Sequence, residues 1–318
     1  MHLTYLQSIL RCVSIDCFTA TLGPPLILAG VTDGSTNLIC LYQWDFLQSD
    51  EPVLLCDSII DDMPLFVQFS SMDGSSVLCI TENGFICNYK LQMTHNSHSH
   101  NLVLTDKTSI RGSVSDSIQA VSYSYEFSQL SLGTLQSLIV KELPRSPTHF
   151  ELSSAVTCVT SISTSPIVGL LSGHVKDVLS NTTITLHSVP TCITVSPQHP
   201  TQLFVGLASG DLVHLNCVFK QGKCVEIERI NSLVLSSSLI SCLTTSSHYL
   251  FAGTDDGRVV KILVSDLSGS DVGSLEEAEY ITELYNGPLP IQSVCANGAG
   301  NLLLVATQGS SIALFPIE

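Results

Sequence analysis

One short frame recurs seven times along the chain and constrains its fold more than any other feature. The frame reads two apolar residues, a glycine, three residues, a second glycine and then an alternating apolar run, as in FVGLASGDLVHL (204–215) and FAGTDDGRVVKI (251–262). Four copies keep both glycines, and three weaker copies keep the outline, with Ile80 and Gly84, Gly133 and Ser137, and Val305 and Gly309 at the two positions. The second position falls at Gly34, Gly84, Ser137, Gly173, Gly210, Gly257 and Gly309, with a mean spacing of about 46 residues. A period of this length indicates a repeat protein built from similar structural units.

Each copy of the frame predicts a β-hairpin, which consists of a strand b followed by a strand c. Alternation of apolar and polar residues is typical of half-buried strands. Polar residues such as Asp33, Asn83 and Asp256 stand directly before the second glycine, and such pairs supply the positive φ of a tight hairpin turn. We therefore predict structural turn residues at Gly34, Gly84, Gly173, Gly210, Gly257 and Gly309. The first glycine of the frame is predicted to be small because neighbouring strands crowd strand b there.

Two further strands flank each hairpin. Upstream lies a strand a in which apolar residues alternate with Ser, Thr or Cys, as in VTCVTSI (156–162) and ISCLTT (240–245). Downstream lies a strand d, as in VLLCDSII (53–60). The seventh copy ends without a strand d, whereas HLTYLQSIL (2–10) precedes the first copy as an unassigned strand. We expect the amino-terminal strand to complete the last unit, because closure leaves only short, protected sheet edges.

These elements predict an all-β, seven-bladed β-propeller with four-stranded antiparallel blades, closed by the N-terminal strand in the last blade. A propeller blade has a period of roughly 40–45 residues, close to the one found here. We expect residues 1–318 to form a single domain. A β-sandwich or two smaller β domains are the alternatives that the repeat leaves open.

The period and the hairpin resemble those of WD-repeat proteins, which fold as β-propellers. The best local match is ICLYQWD (39–45), where Trp44 and Asp45 stand at the end of the first strand c. Trp44 is the only tryptophan, and the family's Gly-His pair before strand a is missing, because Gly173 and His174 fall within a hairpin. The resemblance covers the whole chain in architecture, with degenerate repeats. It implies a protein that binds other proteins at its top face or central channel, or a subunit of a larger complex.

The net charge of the chain limits the kinds of molecule that it can bind. The chain has 12 Lys and Arg against 28 Asp and Glu, a formal net charge of −16. This balance opposes binding to nucleic acid and to anionic membrane surfaces, and no apolar run is long enough to predict membrane insertion. We expect other proteins with basic surfaces as partners. Charged residues make up only 13% of the chain, which suits a subunit whose sides are covered in a complex.

Cysteine usage bears on the compartment. The 12 cysteines stand singly within apolar runs, such as Cys79 in VLCI and Cys242 in SCLT. Because free cysteine behaves as a small apolar residue, we predict reduced core cysteines rather than a disulfide framework. The first residues, MHLTYLQSILRC, lack the basic region and cleavage site of a signal peptide. Both features predict an intracellular protein, cytoplasmic or nuclear.

Paired carboxylates are predicted to be structural. Asp255 and Asp256 are adjacent, as are Asp61 and Asp62, and adjacent strand residues point to opposite faces, which makes a poor acid–base pair. The glycine frames precede strands rather than helices and lack the Lys-Ser/Thr partner of a phosphate-binding loop. The sequence therefore predicts no catalytic residues and no cofactor-binding residues.

Histidines occur in two motifs, one of which has the spacing of a metal site and the other that of a nucleophilic pair. HNSHSH contains His95, His98 and His100, a spacing that can bind zinc or copper. Because no Cys or carboxylate within the motif completes a tetrahedral site, we predict a polar loop without metal. Ser172 stands near His174, but the motif has no orienting acid, which disfavours a nucleophilic pair.

Aromatic residues alternate in VSYSYEF, at Tyr123, Tyr125 and Phe127. Alternation places all three on one side of a strand, and we expect a stripe that faces the core. An exposed binding face is the alternative.

Taken together, these features predict a non-enzymatic scaffold for protein–protein interaction or a subunit of a multiprotein complex. An enzyme on the same fold is the alternative. The LILAG strand (26–30) and the LYQW strand (41–44) resemble the diphthine methylesterase branch of WD-repeat proteins, which implies a hydrolase. The fourth copy departs from that branch because it lacks a turn of the Gly-Gly-Asp-Asp type, to which only residues 253–257 come near.

Overall fold

The structure is a computed structural model that describes residues 2–5, 11–19, 24–45, 52–71, 73–93, 100–110, 116–124, 126–142, 145–268, 281–297, 301–308 and 311–317. These residues form β-strands and turns, with one short 3-10 helix at Val264–Ser268. The chain divides into two compact units, of which the first is Met1–Ser115 with Gln292–Glu318 and the second is Asp116–Ile291.

The first unit holds three four-stranded sheets, blades 1, 2 and 7. Blade 1 consists of β2 (Arg11–Phe18), β3 (Leu26–Thr32), β4 (Asn37–Gln43) and β5 (Val53–Ile60). Blade 2 consists of β6 (Pro64–Phe69), β7 (Ser76–Thr81), β8 (Phe85–Met93) and β9 (His100–Ser109). Blade 7 consists of β26 (Ile291–Ala296), β27 (Leu302–Thr307), β28 (Ser311–Pro316) and β1 (His2–Tyr5). The strands of each blade are a, b, c and d in that order, and β1 serves as strand d of blade 7.

The second unit holds blades 3 to 6, each with the same strand order. Blade 3 consists of β10 (Ala120–Ser124), β11 (Gln129–Gly133), β12 (Ser137–Glu142) and β13 (Thr148–Glu151). Blade 4 consists of β14 (Val156–Ile162), β15 (Ser165–Leu170), β16 (His174–Asp177) and β17 (Thr183–Thr185). Blade 5 consists of β18 (Pro190–Val195), β19 (Gln202–Leu207), β20 (Asp211–Lys220) and β21 (Lys223–Val234). Blade 6 consists of β22 (Ile240–Thr245), β23 (Tyr249–Thr254), β24 (Arg258–Leu263) and β25 (Ile281–Asn286).

The predicted fold class is confirmed: the chain is an all-β, seven-bladed β-propeller with four-stranded antiparallel blades. β1 pairs with β28 in the register His2 to Leu314, so the N-terminal strand completes the last blade as predicted. A β-sandwich would consist of two packed sheets, and the seven sheets formed by the described residues exclude it. Of the strand predicted at 2–10, residues 6–10 lie outside the described residues.

Apolar cores fill the space between neighbouring blades within each unit. Between blades 5 and 6, Phe204 of strand b packs with residues of the next blade such as Leu250 and Ile262. Between blades 7 and 1, the single tryptophan, Trp44, is fully buried with Leu304 and Leu314. Each blade therefore contributes one apolar face to the core before it and the other to the core after it, which explains why strand b of every blade is buried on both faces.

A glycine in strand b sets how closely successive blades approach. A Cβ on Gly206 would lie 2.6 Å from Sγ of Cys192, in strand a of the same blade, and 2.8 Å from Cγ2 of Ile240, the first residue of the next strand a. Four further glycines meet the start of the next strand a in the same way: Gly30, Gly133, Gly169 and Gly253. The contacts with the next strand a are below 3.0 Å at Gly133, Gly169, Gly206 and Gly253, so a side chain does not fit at these four positions. This is the crowding that the sequence predicts for the first glycine of the frame, whereas blades 2 and 7 carry Ile80 and Val305 at the corresponding position.

Hydroxyl groups of strand a join the same junction. Thr191 stands at a β-bulge in β18, and its Oγ1 lies 2.9 Å from the carbonyl oxygen of Gly206 and 2.5 Å from that of Ile240. Ser241 repeats this arrangement one blade later, at 3.1 Å and 2.7 Å from the equivalent carbonyl oxygens. The Ser and Thr residues of strand a therefore link two blades, which accounts for the small polar residues in these otherwise apolar segments.

We expect Gly206→Ala to lower the free energy of unfolding by about 2–3 kcal/mol, because the new methyl group overpacks the junction. Urea denaturation measures the change. Gly34→Ala is the matched control, because Gly34 has a φ of 89° but nothing within 4 Å of a new Cβ. Gly34→Ala should lower the free energy of unfolding only by the cost of placing an alanine at positive φ, about 1 kcal/mol.

A second variant tests the contact itself. Cys192→Ala removes the sulfur that the new methyl group meets, so the double variant should lose less than the sum of the two single variants. Strict additivity, or equal losses at Gly206 and Gly34, would contradict the proposed crowding.

Candidate functional site

The turn glycines predicted from the sequence lie between strands b and c. Five of them have a positive φ in the structure: Gly34, Gly84, Gly173, Gly210 and Gly257. Gly309 lies outside the described residues. A Cβ on Gly210 would meet the carbonyl oxygen of Ser236 at 2.0 Å, and its own carbonyl accepts a hydrogen bond from Leu235 N at 3.0 Å. Gly210 therefore lets the turn pack against the connection that follows strand d of the same blade, and Gly257 meets the carbonyl oxygen of Gly287 in the same way.

A threonine at the end of strand b closes the same turn, and it is not among the turn residues predicted from the sequence. In blade 6, Thr254 Oγ1 accepts a hydrogen bond from Arg258 N at 3.1 Å across the turn. Buried threonines occupy this position in five blades: Thr32, Thr81, Thr134, Thr254 and Thr307. Four of them stand before the turn glycine in the pattern Thr-x-x-Gly or Thr-x-Gly, which is the sequence signal that identifies them.

Side chains also link the connection after strand d to the b–c turn of the next blade. In blade 6, Arg258 donates from Nη2 to Ser236 Oγ at 2.8 Å and from Nε to Asp256 Oδ2 at 3.1 Å. Burial raises the pKa of Asp256, but hydrogen bonds from Thr254 and Arg258 outweigh it, so the pKa lies below its ordinary value. The carboxylate is thus a charged structural partner and not a proton donor at neutral pH.

One such link resembles a catalytic constellation. His187 Nε2 lies 2.7 Å from Asp211 Oδ2, while Ser209 Oγ lies 2.5 Å from Asp211 Oδ2 and 3.5 Å from His187 Nε2. In a working triad the histidine stands between serine and carboxylate and uses a different ring nitrogen for each. Here the serine donates directly to the carboxylate and one nitrogen faces both groups, so the histidine is not placed to remove the serine proton.

The pairs singled out in the sequence have similar roles. Ser172 Oγ lies 2.9 Å from His174 Nδ1, and no carboxylate among the described residues is bonded to that histidine. Asp61 pairs with Lys107 at 2.8 Å, whereas its neighbour Asp62 accepts from Thr81 Oγ1 at 3.1 Å. The two carboxylates therefore serve different partners and do not form an acid–base pair.

The cysteines are poor nucleophiles in this structure. All 12 are free, and each is buried or partly buried. Burial is the main reason why the pKa of 11 of these thiols is raised. It raises the pKa of Cys158 to about 12 and that of Cys192 and Cys295 well above the ordinary value. A thiol with a raised pKa stays protonated at neutral pH, whereas catalytic cysteines need a lowered one.

A carboxyl group lies among strands a of the first unit. Asp16 Oδ2 accepts a hydrogen bond from Phe69 N at 2.7 Å, and Cys295 Sγ donates to Oδ1 at 3.4 Å. Burial raises the pKa of Asp16, against the hydrogen bonds that it accepts. The group joins strands from blades 7, 1 and 2 and has no activated nucleophile beside it.

Metal-ligand geometry is not found among the described residues. Within them, no group of three or more His, Cys, Asp or Glu is placed to hold a metal ion. His95 and His98 lie outside the described residues, and His100 begins β9. Nor does this described part of the chain contain a helix of the length and apolarity needed to cross a bilayer.

A pocket of about 430 Å³ lies in the second unit, where turns of blades 3, 4 and 5 meet. It is formed by the a–b turns of these blades and by the long β20–β21 hairpin of blade 5. Its lining is Glu126, Phe127, Ile162, Ser163, Thr164, Ser165, Pro200, Thr201, Phe219 and Gly222. Phe127, Ile162, Pro200 and Phe219 give it apolar walls, and Glu126 is the one charged side chain among these lining residues.

The backbone around this pocket is strained. Ser128, Ser163 and Gln221 have φ angles of 47°, 55° and 51°, in the left-handed region that non-glycine residues seldom adopt. Of the four non-glycine residues with positive φ in the described part of the chain, these three line the pocket or adjoin its lining, and Asn181 is the fourth. Strained backbone of this kind collects at ligand-binding sites, where surrounding contacts hold it.

Phe127 differs from its prediction. The sequence places it with Tyr123 on one face of a strand, but β10 ends at Ser124 and Phe127 lies in the a–b turn, 37% exposed. Tyr123 is half-buried, and Tyr125 lies outside the described residues. The predicted core-facing stripe is therefore wrong for Phe127, because the turn begins three residues earlier than the alternation suggests.

Comparison with known proteins gives the fold but no family. No protein-family model and no curated protein matches the sequence. Among solved structures, the crystal structure of Raptor from Chaetomium thermophilum aligns with 99% of this chain at a TM-score of 0.74 and 12% sequence identity. The alignment covers 28% of the Raptor chain, so this chain spans less than a third of that protein's length. At this identity the likeness shows the fold alone.

We expect neither Ser209 nor Ser172 to react with a fluorophosphonate, which labels serines that a general base activates. Mass spectrometry of the treated chain should find both serines unmodified, while a serine hydrolase in the same mixture is labelled. Labelling of Ser209 that His187→Ala abolishes, or of Ser172 that His174→Ala abolishes, would contradict this assignment.

Proposed function

We propose that this protein is a non-enzymatic scaffold that binds other proteins, and that the pocket of blades 3, 4 and 5 receives a side chain of its partner. The pocket is the observation that carries the proposal. A rigid β framework holds its turns, its walls are mainly apolar, and an exposed aromatic residue, Phe127, stands at it. Partly exposed aromatic residues beside a pocket are typical anchors of protein–protein interfaces.

The charge of the chain supports a partner with a basic surface. Glu126 is the charged residue of the described lining, and the whole chain carries −16. Lys220 and Lys223 lie near the pocket, on either side of the β20–β21 turn, and they are exposed. The excess of carboxylates over the whole chain steers basic proteins towards it. At the pocket itself Lys220 and Lys223 offset the charge of Glu126, so the side chain that enters the pocket is apolar.

The wider interpretation follows the resemblance noted in the sequence. The chain is a WD-repeat-type propeller with degenerate repeats, folded as one domain over residues 1–318 and located inside the cell, as a subunit of a larger complex. Free cysteines support a reducing compartment, and the low share of charged residues supports partner-covered surfaces.

A hydrolase of the methylesterase type has less support. It requires a nucleophile that a histidine and a carboxylate activate together. The described residues offer Ser209, His187 and Asp211 as the nearest approach, and their hydrogen bonds hold a turn in place rather than forming a relay. We therefore favour binding over catalysis.

Phe127→Ser should lower recovery of the partner about tenfold, as expected for the loss of an aromatic anchor. The measurement is quantitative mass spectrometry of proteins that co-purify with the tagged chain from cells that express it. Circular dichroism of the purified variant checks that the fold is retained.

Leu135→Ser is the matched control. Leu135 is 48% exposed on the same blade, but it lies in the b–c turn at the opposite end of the strands. Its replacement should leave recovery unchanged. If Phe127→Ser retains the partner, or if both variants lose it equally, the pocket is not the site.

A further inference from the structure

The outer strand of each blade presents a sheet edge, and most of these edges are protected. β13, β17 and β1 have only three or four residues each. β25 has six residues, carries Glu283, and contains none of the exposed large apolar side chains of the described residues. β9 and β21 are long, but β9 carries two charged residues, Asp106 and Lys107, and β21 carries four. Bulges interrupt both strands, one in β9 and two in β21. Short length, charge and bulges are the means by which proteins prevent unwanted strand pairing.

β5 differs from the other described outer strands in how much apolar surface it exposes. β9 and β21 also expose apolar side chains, but none of those side chains is more than 49% exposed. It has eight residues, and Asp57 is the single charged residue among them. Val53, Leu54 and Ile59 are exposed to 60%, 43% and 77%, and Ile59 is the most exposed large apolar side chain in the described part of the chain. A long, apolar and exposed edge is a liability unless another chain covers it.

The geometry of β5 suits pairing on its free side. Its bulge lies at one end, and the run from Cys56 to Ile60 pairs without irregularity with Leu41 to Asn37 of β4. β5 is the last strand of its sheet, so backbone N–H and C=O groups of this run face away from blade 1. A straight run of five residues is long enough to accept an added strand.

Charge selects the kind of segment that fits. Asp57 is exposed and has no ion-pair partner among the described residues, and Asp61 follows the strand, where it already pairs with Lys107. A second copy of this chain would bring another net charge of −16 and another Asp57 to the edge, which opposes self-pairing. A segment that carries Lys or Arg opposite Asp57 has the complementary charge.

We propose that the edge of β5 binds an extended segment of a partner protein, which adds a fifth strand to blade 1. The segment is apolar where it covers Ile59 and the Val53–Leu54 end, and basic where it faces Asp57. This inference rests on the proposed scaffold function and names a second surface, separate from the pocket of blades 3, 4 and 5. It uses main-chain hydrogen bonds for affinity and side chains for selection.

Fluorescent peptides of the length of β5 test the inference on the full chain. The first alternates valine and threonine and carries two lysines, the second replaces the lysines with glutamates, and the third is the first with alternate backbone nitrogens methylated. Fluorescence anisotropy measures each affinity. We expect the basic peptide to bind roughly fivefold more tightly than the acidic one, and we expect methylation to abolish binding because it removes the main-chain donors.

Asp57→Lys should reverse the preference between basic and acidic peptides. Glu228→Lys makes the same change on β21, an outer strand interrupted by two bulges, and should leave the preference unchanged. Phe127→Ser should also leave it unchanged, so loss of the pocket function and loss of the edge function give different results. Equal affinity for both charges, retained binding of the methylated peptide, or no binding of any peptide at millimolar concentration would overturn the inference.

Discussion

The contact between the strand-b glycine and the start of the next strand a is the constraint on which this structure depends. A Cβ on Gly206 would lie 2.6 Å from Sγ of Cys192 in the same blade and 2.8 Å from Cγ2 of Ile240 in the next blade, which leaves no room for a side chain. The Thr191 hydroxyl lies between two carbonyl oxygens at the same point. Because each blade packs its two faces against its neighbours, the spacing set at this junction decides whether the core between two blades is filled.

Polar groups that resemble catalytic sets have a structural role at the ends of the strands. The connection after strand d is tied to the next b–c turn by Arg258 and Asp256 in one place and by His187 and Asp211 in another. These hydrogen bonds satisfy groups at the ends of the strands, and the geometry that does so leaves Ser209 without a base. The pocket at Phe127 and the edge of β5 take no part in these hydrogen bonds, and they are the two surfaces that we propose for binding.

The sequence predicts the architecture well because each blade repeats the same physical requirements. Alternation, the Asp-Gly and Asn-Gly turns and the glycine of strand b are local signals that locate most strands of the blades. The pairing of β1 with the last blade follows instead from ring closure. The pocket could not be predicted, because turns from three blades that are distant in sequence form it. Phe127 was misplaced for a related reason, since alternation continues past Ser124 although the strand does not. The exposed edge of β5 also needs the structure, because the sequence predicts VLLCDSII as a strand d but does not show that Ile59 is exposed.

The claim that this propeller is a binding scaffold is tested most directly by its size in the cell extract. Size-exclusion chromatography of an extract from expressing cells, at moderate salt, follows the untagged chain by immunoblot. The account predicts elution well above the 34.1 kDa of the chain, together with a basic protein in constant ratio. Elution at 34.1 kDa, with no protein in constant ratio, would contradict it.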